Sequence, residues 1–170
     1  MNEPVRCAII TVSDRSASGQ RPDLSGPAVI GEIRKLGWSL ILNKIIPDEF
    51  ITIRALLKKL ADEDQVDLVL TTGGTGCSPR DVTPEATLSV IEKNVPGLAE
   101  VMRMESLKST PHGMLSRGIA GICHNTLIIN LPGNPNGAVE NLTAIAAVIP
   151  HAVALIHSTT DAESGHHLDH

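Results

Sequence analysis

Residues 5–12, VRCAIITV, are a short β-branched apolar run, the pattern of a strand buried on both faces. A polar loop, SDRSASGQRPDLSG, follows it. Ser25 then offers a helix cap and Pro27 a first-turn position. Val29, Ile30, Ile33 and Leu36 continue at helical spacing until Gly37 stops the helix. Residues 39–46 predict a second strand, ending at Pro47-Asp48. Ile53, Leu56, Leu57 and Leu60 recur on one helical face, with Lys58, Lys59, Asp62 and Glu63 mostly on the other. Residues 66–71, VDLVLT, predict a third strand that runs into Thr72-Gly73-Gly74-Thr75-Gly76. Thr83-Pro84-Glu85 reads as cap, first-position proline and first-turn acid of a helix ending before Pro96-Gly97. A helical stretch covers about residues 98–107, and 109–118 read as loop. Residues 126–131, TLIINL, form a further strand that breaks at Pro132-Gly133-Asn134-Pro135. A long apolar helix is expected over 137–157, bent at Pro150.

Strands alternating with helices in this way predict an α/β fold with a mostly parallel sheet. With 170 residues, one domain over 1–157 and a polar tail over 158–170 are expected. The hydrophobic fraction of 42% and charged fraction of 19% are those of a soluble globular chain. Trp38 and Phe50 are the only aromatics, so the core must be aliphatic and a platform for stacking bases is missing. A net charge of −5 likewise lacks a basic nucleic-acid footprint. Cys7, Cys77 and Cys123 have neither disulfide nor metal spacing, which fits a reducing cytoplasm. No run approaches the roughly 20 apolar residues expected of a membrane span, and no signal-peptide cleavage region is visible.

In open α/β sheets, ligands bind outside the carboxyl ends of the strands. The conspicuous loops all leave such ends: Ser13-Asp14, Pro47-Asp48, the segment 73–81, and 132–135. The glycines at 73, 74 and 76 permit close backbone approach, and successive N–H groups there can form an anion nest. It is neither a kinase P-loop nor the G-x-G-x-x-G dinucleotide fingerprint, and Arg80 is the one nearby cation. A bare Asp81 beside a phosphate nest would repel the ligand, a conflict that Mg²⁺ removes, and Asp48 could supply a second carboxylate. Taken singly, Asp81 as a cap and Asp48 as a turn residue are the simpler readings; convergence at one sheet edge favours the metal. Ser116-Arg117 offers a second anion site or a surface arginine, and Asn130 either reaches the crevice or satisfies backbone. No Ser/His/Asp set is visible, Cys77 has no paired base, and the histidines at 166, 167 and 170 could bind metal adventitiously.

The run TTGGTGCSPRDVTPEAT (71–87), together with LPGNPNGAVENL (131–142), resembles the molybdopterin adenylyltransferases of molybdenum cofactor biosynthesis. TVSDRSASGQRPDLSGPAV (11–29), IIPDE (45–49) and PHGMLSRGIAG (111–121) also resemble family segments, and the likeness covers about residues 5–157. The resemblance implies a three-layer α/β/α domain of the molybdopterin-binding type that assembles as a homotrimer. It implies a Mg²⁺- and ATP-dependent transfer of AMP to molybdopterin in the cytoplasm, with a molybdenum-insertion enzyme as a further partner and neither nucleic acid nor membrane. The family's two important aspartates fall on Asp48 and Asp81. Phosphate and substrate contacts are expected at Ser13, Asp14, Thr72, Gly73, Gly74, Thr75, Gly76, Ser116, Arg117, Asn130, Gly133 and Asn134. The competing readings are a molybdopterin-binding module without catalysis and another nucleotide-processing enzyme on a related domain.

Overall fold

The computed structural model describes residues 3–157. The tail expected at 158–170, with its three histidines, lies outside the described residues. Six strands form one sheet in the order β2-β1-β3-β6-β5-β4. They are β1 (Arg6–Val12), β2 (Ser39–Ile46), β3 (Leu68–Thr72), β4 (Lys93–Asn94), β5 (Ala120–Cys123) and β6 (Thr126–Leu131). β2, β1, β3 and β6 run parallel, and β5 is antiparallel to both β6 and β4. The helices are α1 (Asp14–Ala17), α2 (Ser25–Lys35), α3 (Phe50–Asp62), α4 (Thr83–Leu88), α5 (Pro96–Ser109), α6 (Pro135–Ile145) and α7 (Ile149–Ile156).

The expected three layers follow from alternation along the buried strands. On β1, Cys7 and Ile9 join one core while Ala8, Ile10 and Val12 join the other. Leu68 and Leu70 of β3 and Leu127, Ile129 and Leu131 of β6 face the first core; Val69 and Ile128 face the second. The first core is closed by Val29 and Ile33 of α2, Leu98 and Met102 of α5, and Leu142 and Ile145 of α6. The second is closed by Ile53, Leu57 and Leu60 of α3 and Ala86 of α4. Strand faces of this kind are apolar on both sides because helices cover both.

Four departures from the sequence expectation have local causes. Ser25 does not cap α2; it is the first helical residue, and the Asp23 carboxylate accepts from the Gly26 N–H at 3.0 Å in its place. Thr83 is likewise inside α4, its hydroxyl donating to the Gly73 carbonyl at 3.0 Å. α4 stops at Leu88, and the next residues enter β4 because Glu92 N–H donates to Ile122 O at 2.7 Å. Residues 111–115, expected as loop, form a 3-10 turn capped by the Thr110 hydroxyl. The expected bend near Pro150 is a 3-10 turn, Ala146–Val148, between α6 and α7, where proline removes an amide donor.

Pro135–Ile156 overturns one expectation. This helical stretch of 22 residues, with mean hydropathy 1.7, is long and apolar enough by length and composition to cross a membrane. Its buried positions Ala138, Leu142, Ile145 and Ile149 belong to the first core, and buried Asn141 accepts from the Ser106 hydroxyl of α5 at 3.0 Å. It is therefore a core helix.

Candidate functional site

The chain runs from β1 outward to β2 and then returns to β3 on the other side of β1. The loops after β1 and β3 diverge at that switch point, which is where open parallel sheets leave a crevice. Two cavities open there. The first, about 700 Å³, is lined by the loops after β1, β2 and β3, including Ser13, Asp14, Asp48, Thr72, Gly73 and Arg80. The second, about 820 Å³, lies toward α5 and includes Thr75, Gly76, Thr110, Leu115 and Ser116. Gly74, Asp81, Gly133 and Asn134 line both, so they form the wall between them.

Glycine is required in the loop that enters this wall. Gly73 has φ +102°, and a Cβ there would sit 2.3 Å from the Val12 carbonyl. Gly74 has φ +66°, and a Cβ would meet Thr83 Oγ1 at 2.2 Å and Asp48 Oδ1 at 3.0 Å. The side-chain-free backbone lets the Asp48 carboxylate and the start of α4 approach the loop together. Gly73 N–H is committed to the Leu131 carbonyl at 3.2 Å, so it is not a member of the expected anion nest. Thr72 ties the same two loops, its hydroxyl donating to Pro132 O at 2.8 Å. Asn134 opens α6, its side-chain oxygen accepting from Gly137 N–H at 3.0 Å.

The acidic residues form a clasp. Asp14 N–H donates to Asp48 Oδ2 at 2.8 Å, and Asp48 N–H donates to Asp14 Oδ1 at 3.0 Å. Arg80 closes on Asp14 through two nitrogens, each at 2.9 Å. Its hydrogen bonds hold the Asp14 carboxyl below the usual aspartate range. Asp48 is pushed the other way, first by burial, then by the negative charges of Asp14 and Asp81. Asp81 accepts from Ser78 N–H at 2.9 Å, which sets its carboxylate against Gly76, where an added Cβ would meet Oδ2 at 2.9 Å. Ser13 caps the short helix α1, accepting from Ser16 N–H at 3.2 Å.

Two expected ligand residues face elsewhere. Arg117 lines neither cavity. Its guanidinium donates to the carbonyls of Gly76 at 2.6 Å and Asp81 at 2.7 Å, and it pairs with Glu85. Together with Arg117 N–H on Thr75 O at 2.8 Å, this clamps the glycine loop from behind. Its fork is thus taken up by protein oxygens. Asn130 is buried in β6, its amide donating to the Thr71 and Thr87 hydroxyls at 3.0 and 2.9 Å while its oxygen accepts from Ile119 N–H. It satisfies the interior and does not reach the crevice. Ser116, by contrast, does line the second cavity.

Sequence reasoning missed several lining residues. Arg80, in the sequence only a cation near the glycine loop, binds an aspartate 66 positions away. Asp23 lines the first cavity and accepts from the buried Thr11 hydroxyl at 2.7 Å; its place three residues before Gly26 was a legible capping signal. Arg15 and Arg21 in the first cavity, and Ser106, Ser109, His112 and Glu140 in the second, had no signal of their own.

Comparison with known proteins bears on this geometry. Residues 8–151 match the family described as "Probable molybdopterin binding domain". The chain is 44% identical over 160 residues to a protein of Helicobacter pylori named molybdopterin adenylyltransferase, covering 91% of this chain and 89% of that one. It is 42% identical over 157 residues to the Drosophila melanogaster molybdenum cofactor synthesis protein cinnamon, but spans only 26% of that longer protein. The crystal structure of the molybdopterin biosynthesis enzyme MoaB from Thermus thermophilus superposes with a TM-score of 0.86 at 44% identity, covering 91% of this chain and 98% of that one.

Proposed function

The chain belongs to the molybdopterin-binding domain family, and we propose that it is a molybdopterin adenylyltransferase of molybdenum cofactor biosynthesis, moving AMP from ATP to molybdopterin. The observation that carries the reading is the pair of cavities sharing one wall, with Asp48 and Asp81 beside it. Two substrates can then lie on either side of the point where their phosphates meet. The first cavity, with Arg15, Arg21 and Arg80, suits a triphosphate, and the second suits the pterin.

An oxygen of the pterin's terminal phosphate attacks the α-phosphorus of ATP. The bond from that phosphorus to the bridging oxygen breaks, and pyrophosphate leaves with the electron pair. The nucleophile arrives already ionised, so the protein needs no activated serine or cysteine; it has to position and to balance charge. The carboxylates at 48 and 81 fit a hard cation, since Asp48 is disfavoured as a lone anion by burial and by its acidic neighbours. Mg²⁺ held there would neutralise phosphate charge as the transfer proceeds. The Asp14–Asp48 clasp keeps that carboxylate in place, and Arg117 keeps the loop carrying Asp81 in place.

The family reading also brings a cytoplasmic setting, a homotrimer and docking of a molybdenum-insertion enzyme. Self-association is supported by apolar side chains left at the surface, Ile41 and Ile45 on edge strand β2 and Val148 and Leu155 beyond α6. The deciding experiment is pyrophosphate release from ATP and Mg²⁺, with and without molybdopterin. Release that needs the pterin and is lost in Asp48→Asn and Asp81→Asn is expected. Wild-type protein that binds molybdopterin but releases no pyrophosphate would be a binding module, and the proposal would fall.

A further inference from the structure

At the opposite end of the sheet, four metal-ligating side chains meet where no part of the proposed reaction takes place. Cys123 ends β5, His124 opens the turn into β6, Glu92 precedes β4, and Asp62 ends α3. The six residues of β6 separate this end from the glycine-loop wall, a distance of about 20 Å at about 3.3 Å per residue.

His124 lies between two carboxylates. Its Nε2 is 3.1 Å from Asp62 Oδ1, and its Nδ1 is 3.1 Å from Glu92 Oε1. A neutral imidazole has one N–H and can satisfy one of them; the other nitrogen then turns a lone pair toward a carboxylate oxygen. Asp62 is fixed by Lys58 at 2.8 Å and suits the outer role of accepting the Nε2 proton. That leaves Nδ1, a Glu92 oxygen and the Cys123 sulfur facing one another, with ligand atoms mutually within 4.8 Å. His124 also holds a φ of +51° in its turn, and its N–H donates to Glu92 Oε2 at 3.2 Å, so the backbone itself presents the ring to Glu92.

We propose that Cys123, His124 and Glu92 bind a borderline divalent cation of the Zn²⁺ class, with Asp62 orienting the imidazole and solvent completing the coordination. One sulfur, one nitrogen and one oxygen make a mixed donor set that suits Zn²⁺ better than Mg²⁺, which takes oxygens. Zn–S near 2.3 Å and Zn–N near 2.0 Å would draw the donors in by roughly 1 Å. The exposed side chains of His124 and Glu92 have room to make that movement. The bound ion would tie the β5–β6 turn to the start of β4, holding together the short antiparallel edge of the sheet.

The test uses the full chain with His166, His167 and His170 changed to alanine and Cys77 to serine, which removes competing donors. Co²⁺ is titrated as a spectroscopic probe and then displaced by Zn²⁺. One equivalent of Co²⁺ is expected to give a thiolate-to-metal charge-transfer band that Zn²⁺ abolishes. Cys123→Ser should remove the band, and His124→Asn and Glu92→Gln should each weaken Co²⁺ binding at least tenfold. Co²⁺ held at Asp48 and Asp81 would lack the thiolate band, so the two sites are distinguishable. Absence of the band in the parent chain overturns the proposal. So does His124→Asn binding as tightly as the parent, a reading that stands even if the buried Cys123 position does not tolerate serine.

Discussion

The two cavities sit on either side of one backbone wall and are built on opposite principles. The first is a concentration of charge: Asp14, Asp23, Asp48 and Asp81 meet Arg15, Arg21 and Arg80. The second is lined mainly by glycine, hydroxyl side chains, Leu115 and Pro132, with Glu140 and the shared Asp81 as its carboxylates. The difference follows from position. The first cavity collects the loops at the sheet's switch point, where α1 and α2 begin and where capping carboxylates are favoured. The second lies between α5, the 3-10 turn after it and the start of α6, so it inherits the small polar residues of turns. One side can handle the charge of a triphosphate; the other can hold the ring of a phosphorylated heterocycle by shape. If the wall is the meeting point, changes in the wall should harm both sides, and changes beyond it only one.

The largest effect is expected from Gly74→Ala. Alanine at φ +66° costs about 1–2 kcal/mol from the backbone alone, and its methyl would overlap Thr83 and crowd Asp48. Pyrophosphate release should fall at least a hundredfold, with both substrates binding more weakly. A variant that loses affinity for only one substrate would show that Gly74 belongs to one cavity and not to the wall. Arg117→Leu comes next. It removes donors to two loop carbonyls and should lower stability by about 1–2 kcal/mol. Turnover should drop about tenfold, with KM rising for both substrates. An arginine that touched phosphate directly would instead raise one KM and leave the melting temperature unchanged.

Much of this arrangement was legible before the structure. The apolar runs of β1, β3 and β6 identified central strands because both faces are covered, and the loop positions followed from parallel topology. β4 and β5 were not legible: two and four residues are too short to show alternation, and they become strands only by pairing, β5 with β6 and β4 with β5. Asn130 and Arg117 were misplaced for one reason. A polar side chain beside a glycine- and proline-rich loop carries no mark of whether it turns to the crevice or the interior. Thr71 and Thr87 supply buried hydroxyls for Asn130, and the bared carbonyls of a tight loop supply acceptors for Arg117. Such pairings span tens of residues and have no periodic signature.

A smaller effect separates the two sides. Arg15→Gln, in the first cavity, should raise KM for ATP about threefold to tenfold by weakening phosphate attraction and leave pterin affinity unchanged. Glu140→Gln, in the second, removes a carboxylate from the pterin side and should tighten binding of the anionic pterin by a similar or smaller factor. Kinetics with each substrate varied in turn would check both. In the double variant the two changes should add, because the residues line different cavities. Coupling between them would mean that a single substrate spans the wall.

The smallest effect concerns stability in the absence of metal, and it isolates the electrostatics of the first cavity. Asp48 holds its proton more tightly in the folded chain than in the unfolded one, because of burial and then of Asp14 and Asp81. Its contribution therefore favours folding in acid and is lost as pH rises through its folded pKa. Asp14 has the opposite sign: Arg80 lowers its pKa, so its contribution is present above the usual carboxylate range and is lost as pH falls. In EDTA at pH 7, Asp48→Asn should then melt about 1–2 °C above wild type. Asparagine keeps an oxygen to accept from Asp14 N–H while removing the unfavourable charge. The advantage should shrink as pH falls through the raised pKa of wild-type Asp48, where the carboxylate takes up its proton. Adding Mg²⁺ at pH 7 should raise the melting temperature of wild type and not of the variant. A variant that melts below wild type in EDTA at pH 7 would mean that Asp48 is an anchor of the clasp, not a strained ligand waiting for a cation.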